Sequence, residues 1–288
     1  MSFRQIKSIG RLVRWPNLLI IAISLLLLNY VIIAISWKQI SFWVLFWGTL
    51  CIAAAGNIIN DILDVKIDTI NKPKRVVVGR VLTQQAAWRG YVLLNLLALG
   101  LALIGGEWGI GLFFLTAILL LYFYSKKWKK QALIGNLVVA LLCALVIVEF
   151  WWIERSFLTI YWQTILLSYA AFAFLSTLAR ELVKDIEDVE GDQKMNCQTL
   201  PIQYGLATAQ KGILLVLLLL FILLFWEGLF LYQNGLLLAF VYIMSCLIPW
   251  LFFLLYKTQK AKTKLDYTDL SGQLKRYMLL GLGLLLLV

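Results

Sequence analysis

The organisation of this chain is decided by an acidic stretch that reads Asn57-Ile-Ile-Asn60-Asp61-Ile-Leu-Asp64-Val-Lys-Ile-Asp68. A second stretch reads Arg180-Glu181-Leu-Val-Lys184-Asp185-Ile-Glu187-Asp188-Val-Glu190-Gly191-Asp192. Each stretch closes a long apolar run, and together they hold nine of the chain's 15 acidic residues. Carboxylates at membrane depth are costly, so such clusters predict a functional site that faces a polar cavity.

The spacing of the aspartates predicts that each stretch presents its carboxylates on one helix face. Aspartates at i, i+3 and i+7 share one side of a helix. The chain has this spacing in Asp61, Asp64 and Asp68, and again in Asp185, Asp188 and Asp192. Asn57 and Glu181 stand in the same relative place, one turn before the first aspartate. Stacked carboxylates repel one another unless a cation lies between them, so each face predicts half of a hard-metal site.

The composition indicates a polytopic membrane protein. Of the 288 residues, 62% are hydrophobic and 14% are charged, whereas a soluble protein has about 25% charged residues. Histidine is absent, which removes the usual general base and the commonest zinc ligand. Three of the four scattered cysteines fall within or beside apolar spans, so we expect buried thiols there in preference to disulfides or a metal site, whereas Cys197, in a loop, is expected to be exposed.

Nine segments are long and apolar enough, or nearly so, to cross a bilayer, which takes about 20 residues. We therefore predict an all-α fold with nine transmembrane helices. The predicted spans are Pro16–Trp37, Ile40–Asn60, Gln84–Ile104, Trp108–Tyr124, Ile134–Trp152, Tyr161–Val183, Leu206–Trp226, Gly235–Tyr256 and Arg276–Val288.

The basic residues predict the orientation of these spans. All of the 26 lysines and arginines except Lys38 and Arg155 fall on one side of the predicted membrane. Basic loops stay in the cytoplasm, so we expect a multi-pass protein of the cytoplasmic membrane with a cytoplasmic N-terminus and an external C-terminus. Both acidic stretches then face the cytoplasm. Anionic lipid headgroups account for the net charge of +11, and nothing in the pattern indicates nucleic acid.

The residues alone leave two kinds of function open. Carboxylates by themselves are typical of a proton or cation pathway in a transporter. Carboxylates interleaved with basic residues favour an anion held through divalent cations, with Lys and Arg taking the remaining phosphate charge. Lys72, Lys74 and Arg75 follow the first stretch, and Arg180 and Lys184 lie in the second, so a bound di- or polyphosphate is favoured. The G-x-x-x-x-G-K-[ST] loop of Walker-type nucleotide sites is absent from the sequence.

The motifs resemble those of the UbiA superfamily of intramembrane prenyltransferases. The family pattern N-D-x-x-D-x-x-x-D occurs at residues 60–68, and N-[KR]-P-x-R follows at residues 71–75. The pattern D-x-x-D-x-x-x-D, with an E-G-D ending, occurs at residues 185–192. Tyr124-Ser125 and Gly135-Asn136 resemble the family's middle element. The resemblance covers essentially the whole chain, so it implies a single prenyltransferase domain over residues 1–288.

This resemblance implies nine helices around a central cavity that opens sideways to lipid. Two magnesium ions would hold a polyprenyl diphosphate between the two aspartate motifs, and an acceptor would capture the allylic cation after the C–O bond ionises. The implied catalytic residues are Asp61, Asp64, Asp68, Asp185, Asp188 and Asp192. The implied metal ligands are Asn60, Asp64, Asp68, Asp185, Asp188 and Asp192. The expected substrate contacts are Arg14, Asn17, Asn57, Asn60, Lys72, Arg75, Tyr124, Lys126, Lys130 and Lys184.

The expected partners are a polyprenyl diphosphate donor, an acceptor and membrane lipids, with no obligate protein partner. The second stretch, together with the elements around residues 124–127 and 135–136, most resembles the family members that prenylate geranylgeranylglycerol phosphate. That lipid is therefore the expected acceptor, and a geranylgeranyl group is the expected cargo. An aromatic acceptor such as 4-hydroxybenzoate is the alternative, and a cation-coupled transporter is the more distant one.

Overall fold

The computed structural model describes residues 3–32, 40–65, 68–69 and 76–288. Within these residues the chain forms helices, and its only strand-like pairings are two isolated bridges. The predicted all-α fold is confirmed. The chain forms two compact units, Met1–Trp128 and Lys129–Val288.

The first unit is built around α3. Its helices are α1 (Phe3–Leu12), α2 (Trp15–Ile32), α3 (Ile40–Leu63), α4 (Gln84–Ile104) and α5 (Trp108–Lys126). α3 packs against α2, α4 and α5. Glycines on α3 allow α5 to come close: a Cβ on Gly48 would lie 2.1 Å from the ring of Phe114, and one on Gly56 would lie 2.8 Å from Leu121. Small residues at such crossings let membrane helices pack closely.

A small apolar cluster joins α1, the end of α3 and the segment that leads into α4. Its buried members are Leu12, Ile58, Ile62, Val77, Val78 and Ala87. Gly79 has a φ of 81°, which only glycine adopts without strain. The chain can therefore turn so that the Gly79 N–H donates to the Leu82 carbonyl at 2.8 Å. The cluster holds the turn between α1 and α2 against the end of α3 that carries the first acidic stretch.

The second unit is built around α7. Its helices are α6 (Ile134–Glu154), α7 (Ile160–Glu187), α8 (Val189–Lys194), α9 (Leu200–Tyr204), α10 (Leu206–Gln233), α11 (Leu237–Tyr242), α12 (Ile248–Lys260) and α13 (Lys264–Gly283). A π-helical turn, Ile243–Leu247, joins α11 to α12. α7 packs against α6, α10 and α13, and the core of the unit lies among these helices.

Seven helices of the described chain are long and apolar enough to cross a membrane. They correspond to the second to eighth predicted spans, so the protein is an integral membrane protein. Six of these helices end later than predicted, and two of the six continue into the acidic stretches. α3 ends at Leu63 instead of Asn60, and α7 ends at Glu187 instead of Val183, because the polar residues of the acidic stretches continue the helix.

The predicted count of nine spans is not confirmed. α2 is apolar but shorter than the seven, and residues 33–39 lie outside the described part of the chain. The ninth predicted span was placed at Arg276–Val288, whereas the helix that contains its first residues begins at Lys264. Hydropathy alone misses this start because the first half of α13 is polar.

Hydrogen bonds explain why α13 begins so early. The Thr263 hydroxyl accepts from the Asp266 N–H at 3.3 Å, and the Asp266 carboxylate accepts from the Thr263 N–H at 2.8 Å. This reciprocal capping box satisfies two free donors of the first turn. Backbone hydrogen bonds from Lys262 and Thr263 lower the pKa of Asp266. An ion pair between Lys257 and Asp269 then joins α12 to α13.

Candidate active site

The first carboxylate face lies at the end of α3, beside the turn between α1 and α2. Asp61 accepts a hydrogen bond from Nη2 of Arg14 at 3.4 Å. One turn earlier, Nδ2 of Asn57 donates to the Val13 carbonyl at 3.0 Å. Arg14 has a φ of 53°, which is uncommon for a residue with a side chain, and these contacts stabilise the turn that contains it. The structure thus brings together three of the predicted site residues, Arg14, Asn57 and Asp61.

Asp64 and Asp68 continue the helical spacing past the end of α3. The Asp64 N–H donates to the Asn60 carbonyl at 2.9 Å, and the Asp68 N–H donates to the Asp64 carbonyl at 2.8 Å. These are the i to i−4 bonds of an α-helix. Both carboxylates are electrostatic neighbours of Asp61, and all three aspartates are partly exposed. The predicted common face is therefore present.

The second carboxylate face lies where α7 meets α8. Oδ2 of Asp185 accepts a hydrogen bond from Nδ2 of Asn136 on α6 at 2.9 Å, and Asn136 is 5% exposed. The Asp188 N–H donates to the Lys184 carbonyl at 2.9 Å, and the Asp192 N–H donates to the Asp188 carbonyl at 3.0 Å. Helical bonding thus continues from α7 into α8, so the three aspartates keep their predicted spacing.

Two other acids of the second stretch contact α13. Oγ1 of Thr268 donates to Oε1 of Glu187 at 3.1 Å, and Nζ of Lys264 lies 3.8 Å from Oε2 of Glu190. The spacing of the stretch does not place these two glutamates with the aspartates. Their carboxylates are used to hold the stretch against α13.

Glu181, one turn before Asp185 on α7, forms ion pairs with two basic side chains. Oε1 and Oε2 of Glu181 lie 3.0 and 2.9 Å from Nζ of Lys184. Nη1 of Arg180 donates to Oε1 of the same carboxylate at 3.3 Å. Lys184 is a predicted phosphate contact, but Arg180, Glu181 and Asn136 are absent from the predicted set. The spacing places Glu181 one turn before Asp185 on the same face, but it does not predict the ion pairs of Glu181 with Arg180 and Lys184.

Several predicted substrate contacts lie close to one of the two faces. Asn17 is exposed at the start of α2, and its N–H donates to the Arg14 carbonyl at 2.8 Å. The Lys130 carbonyl accepts from the Gln198 N–H at 2.7 Å, which fastens Lys130 to the segment that follows Asp192. Asn17 is thus hydrogen-bonded to the turn that contacts the first face. Lys130 is hydrogen-bonded to the segment that follows the second face.

Two further predicted substrate contacts are on α5. Tyr124 and Lys126 are in the last turn of α5. Nζ of Lys126 lies 3.5 Å from the Tyr122 hydroxyl and 5.5 Å from the centre of its ring. Lys72 and Arg75 lie outside the described residues.

The donor atoms of each face fit a magnesium ion in part. Among the described residues, no group of three or more Asp, Glu, Cys or His side chains lies close enough together to hold a metal ion by itself. Each face does present hard carboxylate oxygens, and the first adds the amide of Asn60. Magnesium in enzymes is commonly held by one or two carboxylates, with water and substrate phosphate completing the shell. The donor chemistry is therefore compatible with magnesium that binds together with a phosphorylated substrate.

Comparison with known proteins identifies the family. The chain belongs to the UbiA prenyltransferase family, whose sequence model matches residues 14–272. It is 32% identical over 240 residues to the digeranylgeranylglyceryl phosphate synthase of Methanosphaera stadtmanae, which covers 81% of this chain and 84% of the relative. It is 36% identical over 205 residues to the protein of the same name from Sulfurisphaera tokodaii, which covers 70% and 71%. The predicted family is confirmed, and the protein is a prenyltransferase.

Solved structures agree on the fold. A structure described as digeranylgeranylglyceryl phosphate synthase in membranes matches with a TM-score of 0.69 and 24% identity, over 98% of each chain. A UbiA homolog from Archaeoglobus fulgidus bound to GPP and Mg²⁺ matches with a TM-score of 0.68 and 16% identity, over 96% of this chain and 99% of that one. The chain therefore has the UbiA fold.

Proposed function

We propose that this chain transfers a geranylgeranyl group from geranylgeranyl diphosphate to geranylgeranylglyceryl phosphate, with magnesium as the cofactor. The observation that carries the proposal is the similarity, over 81% of the chain, to a curated protein named digeranylgeranylglyceryl phosphate synthase. A product of that name carries two geranylgeranyl groups on one glycerol phosphate. The acceptor must then already carry the first group.

The proposed magnesium ligands are Asn60, Asp64 and Asp68 on the first face and Asp185, Asp188 and Asp192 on the second. Asp61 is a further proposed catalytic residue on the first face. When bound, magnesium neutralises the diphosphate and makes it a better leaving group. Solved structures with the same fold support this assignment. The UbiA homolog from Archaeoglobus fulgidus was solved once with GPP and Mg²⁺ and once with DMAPP and Mg²⁺.

Neutral and basic neighbours hold these carboxylates in place. Arg14 donates to Asp61, and Asn136 donates to Asp185. An oriented carboxylate loses less freedom when it binds an ion, so partners outside the ligand set contribute to metal affinity. The proposed substrate contacts are Arg14, Asn17, Asn57, Asn60, Lys72, Arg75, Tyr124, Lys126, Lys130 and Lys184.

The reaction places definite demands on the chain's own groups. The bond between the allylic carbon and the diphosphate oxygen breaks, and its electron pair leaves with the diphosphate. The acceptor hydroxyl oxygen forms the new C–O bond and loses its proton. The chain has no histidine, and a carboxylate, a phosphate oxygen or water can receive this proton. Water must otherwise be kept from the allylic carbon, because it competes with the acceptor.

The same proposal assigns a location and a domain organisation. The basic residues favour the cytoplasmic membrane, with the N-terminus and both acidic stretches on the cytoplasmic side. The family match over residues 14–272 includes residues of both compact units, which supports a single prenyltransferase domain over residues 1–288.

A reconstituted reaction tests the function. Purified protein given magnesium, geranylgeranyl diphosphate and geranylgeranylglyceryl phosphate should release pyrophosphate and form the doubly prenylated lipid, measured by mass spectrometry. EDTA and Asp188→Asn should each stop the reaction. With equal 4-hydroxybenzoate present, prenylation of the benzoate alone would rule out the lipid acceptor. No pyrophosphate release with either acceptor would contradict the prenyl transfer itself.

A further inference from the structure

Two basic residues of α7, Arg180 and Lys184, form ion pairs with the buried carboxylate of Glu181. These two residues are called the cation pair below. Glu181 is 9% exposed, and its oxygens lie 2.9 Å from Nζ of Lys184 and 3.3 Å from Nη1 of Arg180. The side chains of the two cations are 29% and 37% exposed, for Arg180 and Lys184 respectively. The carboxylate is thus buried beside two cations whose side chains are partly exposed.

The hydrogen-bonding capacity of Arg180 is largely unused. Its Nε is buried and has no hydrogen-bond partner among the described residues. A guanidinium carries five N–H donors in a fixed fork that matches a phosphate or carboxylate. A buried donor without an acceptor is unfavourable. An anion bound by the Arg180 guanidinium would supply the missing acceptor.

Glu181 and Asp185 have different partners, although both are carboxylates on α7. Glu181 contacts the two cations, whereas Asp185 accepts its hydrogen bond from the neutral amide of Asn136. Asn136 therefore orients Asp185 without adding a charge. Glu181 instead fixes where the positive charges lie, so it is a positioning residue.

Arg180 of the cation pair lies apart from Asp185 on the surface of α7. At 1.5 Å and about 100° per residue, Arg180 lies roughly 7.5 Å from Asp185 along the helix axis and roughly 140° around it. Arg180 is also the nearer of the two to the middle of the span. An anion bound through metal ions at Asp185 would therefore not occupy the same place as one bound by the Arg180 fork. The offset favours a second phosphate.

We propose that Arg180 and Lys184, both positioned by Glu181, bind the phosphate of the glycerol phosphate acceptor. This contact selects that acceptor over an uncharged one. This rests on the proposed function, because a second phosphate enters the reaction only with such an acceptor. The donor also carries phosphate, so the two substrates must be separated by experiment.

Steady-state kinetics with each substrate varied in turn separates them. The assay uses the full chain in dodecyl maltoside, which has no phosphate group of its own. Arg180→Gln is expected to raise KM for geranylgeranylglyceryl phosphate about ten- to a hundredfold, the effect of losing a charge-assisted hydrogen bond. KM for geranylgeranyl diphosphate should stay within about twofold. Arg180→Lys keeps the charge but loses the fork, so its acceptor KM should fall between those of the wild type and Arg180→Gln.

Glu181→Gln tests the positioning role, and Arg155→Gln is the matched control. Glu181→Gln should raise the acceptor KM while leaving the donor KM unchanged, because both cations lose their anchor. Arg155 directly follows the last residue of α6, and its guanidinium lies 3.7 Å from the centre of the Trp152 ring. Replacing Arg155 should change neither KM. Elution as a single species in size-exclusion chromatography confirms that each variant is folded.

Four results are decisive. An unchanged acceptor KM in folded Arg180→Gln, or a donor KM raised as much as the acceptor KM, overturns the inference while the proposed function stands. An acceptor KM raised equally in Arg155→Gln overturns it as well. A wild-type protein that does not prenylate geranylgeranylglyceryl phosphate overturns the proposed function itself, and the inference with it.

Discussion

The contact between Asn136 and Asp185 gives a quantitative test of how the second carboxylate face binds magnesium. Asn136 is 5% exposed and donates to Asp185 across 2.9 Å. Asn136→Leu keeps a similar volume but removes the donor. A hydrogen bond to a charged group is worth about 1.5–3 kcal/mol, which is roughly a ten- to hundredfold change in an equilibrium constant. Loss of a partner that orients a metal ligand typically costs about the same factor in metal affinity.

The assay is a magnesium titration of pyrophosphate release at saturating donor and acceptor. The magnesium concentration for half-maximal rate should rise about ten- to a hundredfold in Asn136→Leu, with much of the rate recovered at high magnesium. Asn95→Leu is the matched control, because Asn95 is also buried, at 8% exposed, and donates to the Tyr91 carbonyl of its own helix at 3.0 Å. An unchanged magnesium dependence in Asn136→Leu, or an equal rise in Asn95→Leu, would refute the reasoning.

Three further outcomes are expected. Asp64→Ala should abolish magnesium-dependent transfer while the protein still elutes as a single species in detergent, because it removes the central carboxylate of the first face; near-normal turnover would contradict the site. In a cysteine-free background, a cysteine at Lys129 should react with an impermeant maleimide only from the cytoplasmic side, and one at Arg155 only from outside; reversed labelling would overturn the orientation. Gly48→Ala should lower the thermal unfolding midpoint, since its Cβ would lie 2.1 Å from a ring of α5 and overpacking costs about 1–3 kcal/mol. Gly100→Ala, where a Cβ meets nothing within 4 Å, is the control, and equal midpoints for the two variants would contradict the packing argument.

Much of the fold was predictable because membrane helices leave a local signal. Each apolar run long enough to span the bilayer appears as a helix from the second to the eighth predicted span. The predicted start of the last helix was wrong because the first half of α13 is polar. The helix begins at Lys264, well before the predicted Arg276. There the helix depends on the capping box at Thr263 and on an ion pair with α12, and a hydropathy window detects neither of these.

The carboxylate faces belong to what the sequence by itself determined. Helical periodicity places residues at i, i+3 and i+7 on one side whatever surrounds the helix. The spacing of Asp61, Asp64 and Asp68, like that of the second set, was therefore enough to predict a face, and the motif pattern was enough to predict the family that comparison confirmed.

The partners of those carboxylates were decided by the tertiary structure alone. Arg14 reaches Asp61 across 47 positions of sequence, and Asn136 reaches Asp185 across 49. No periodicity relates such distant positions, because their contact depends on which helices pack together and at what height. α6 packs on α7 so that a buried amide lies level with one aspartate, and the turn after α1 is held against the end of α3. Local chemistry thus determines which residues form a face, whereas packing determines which side chains orient it.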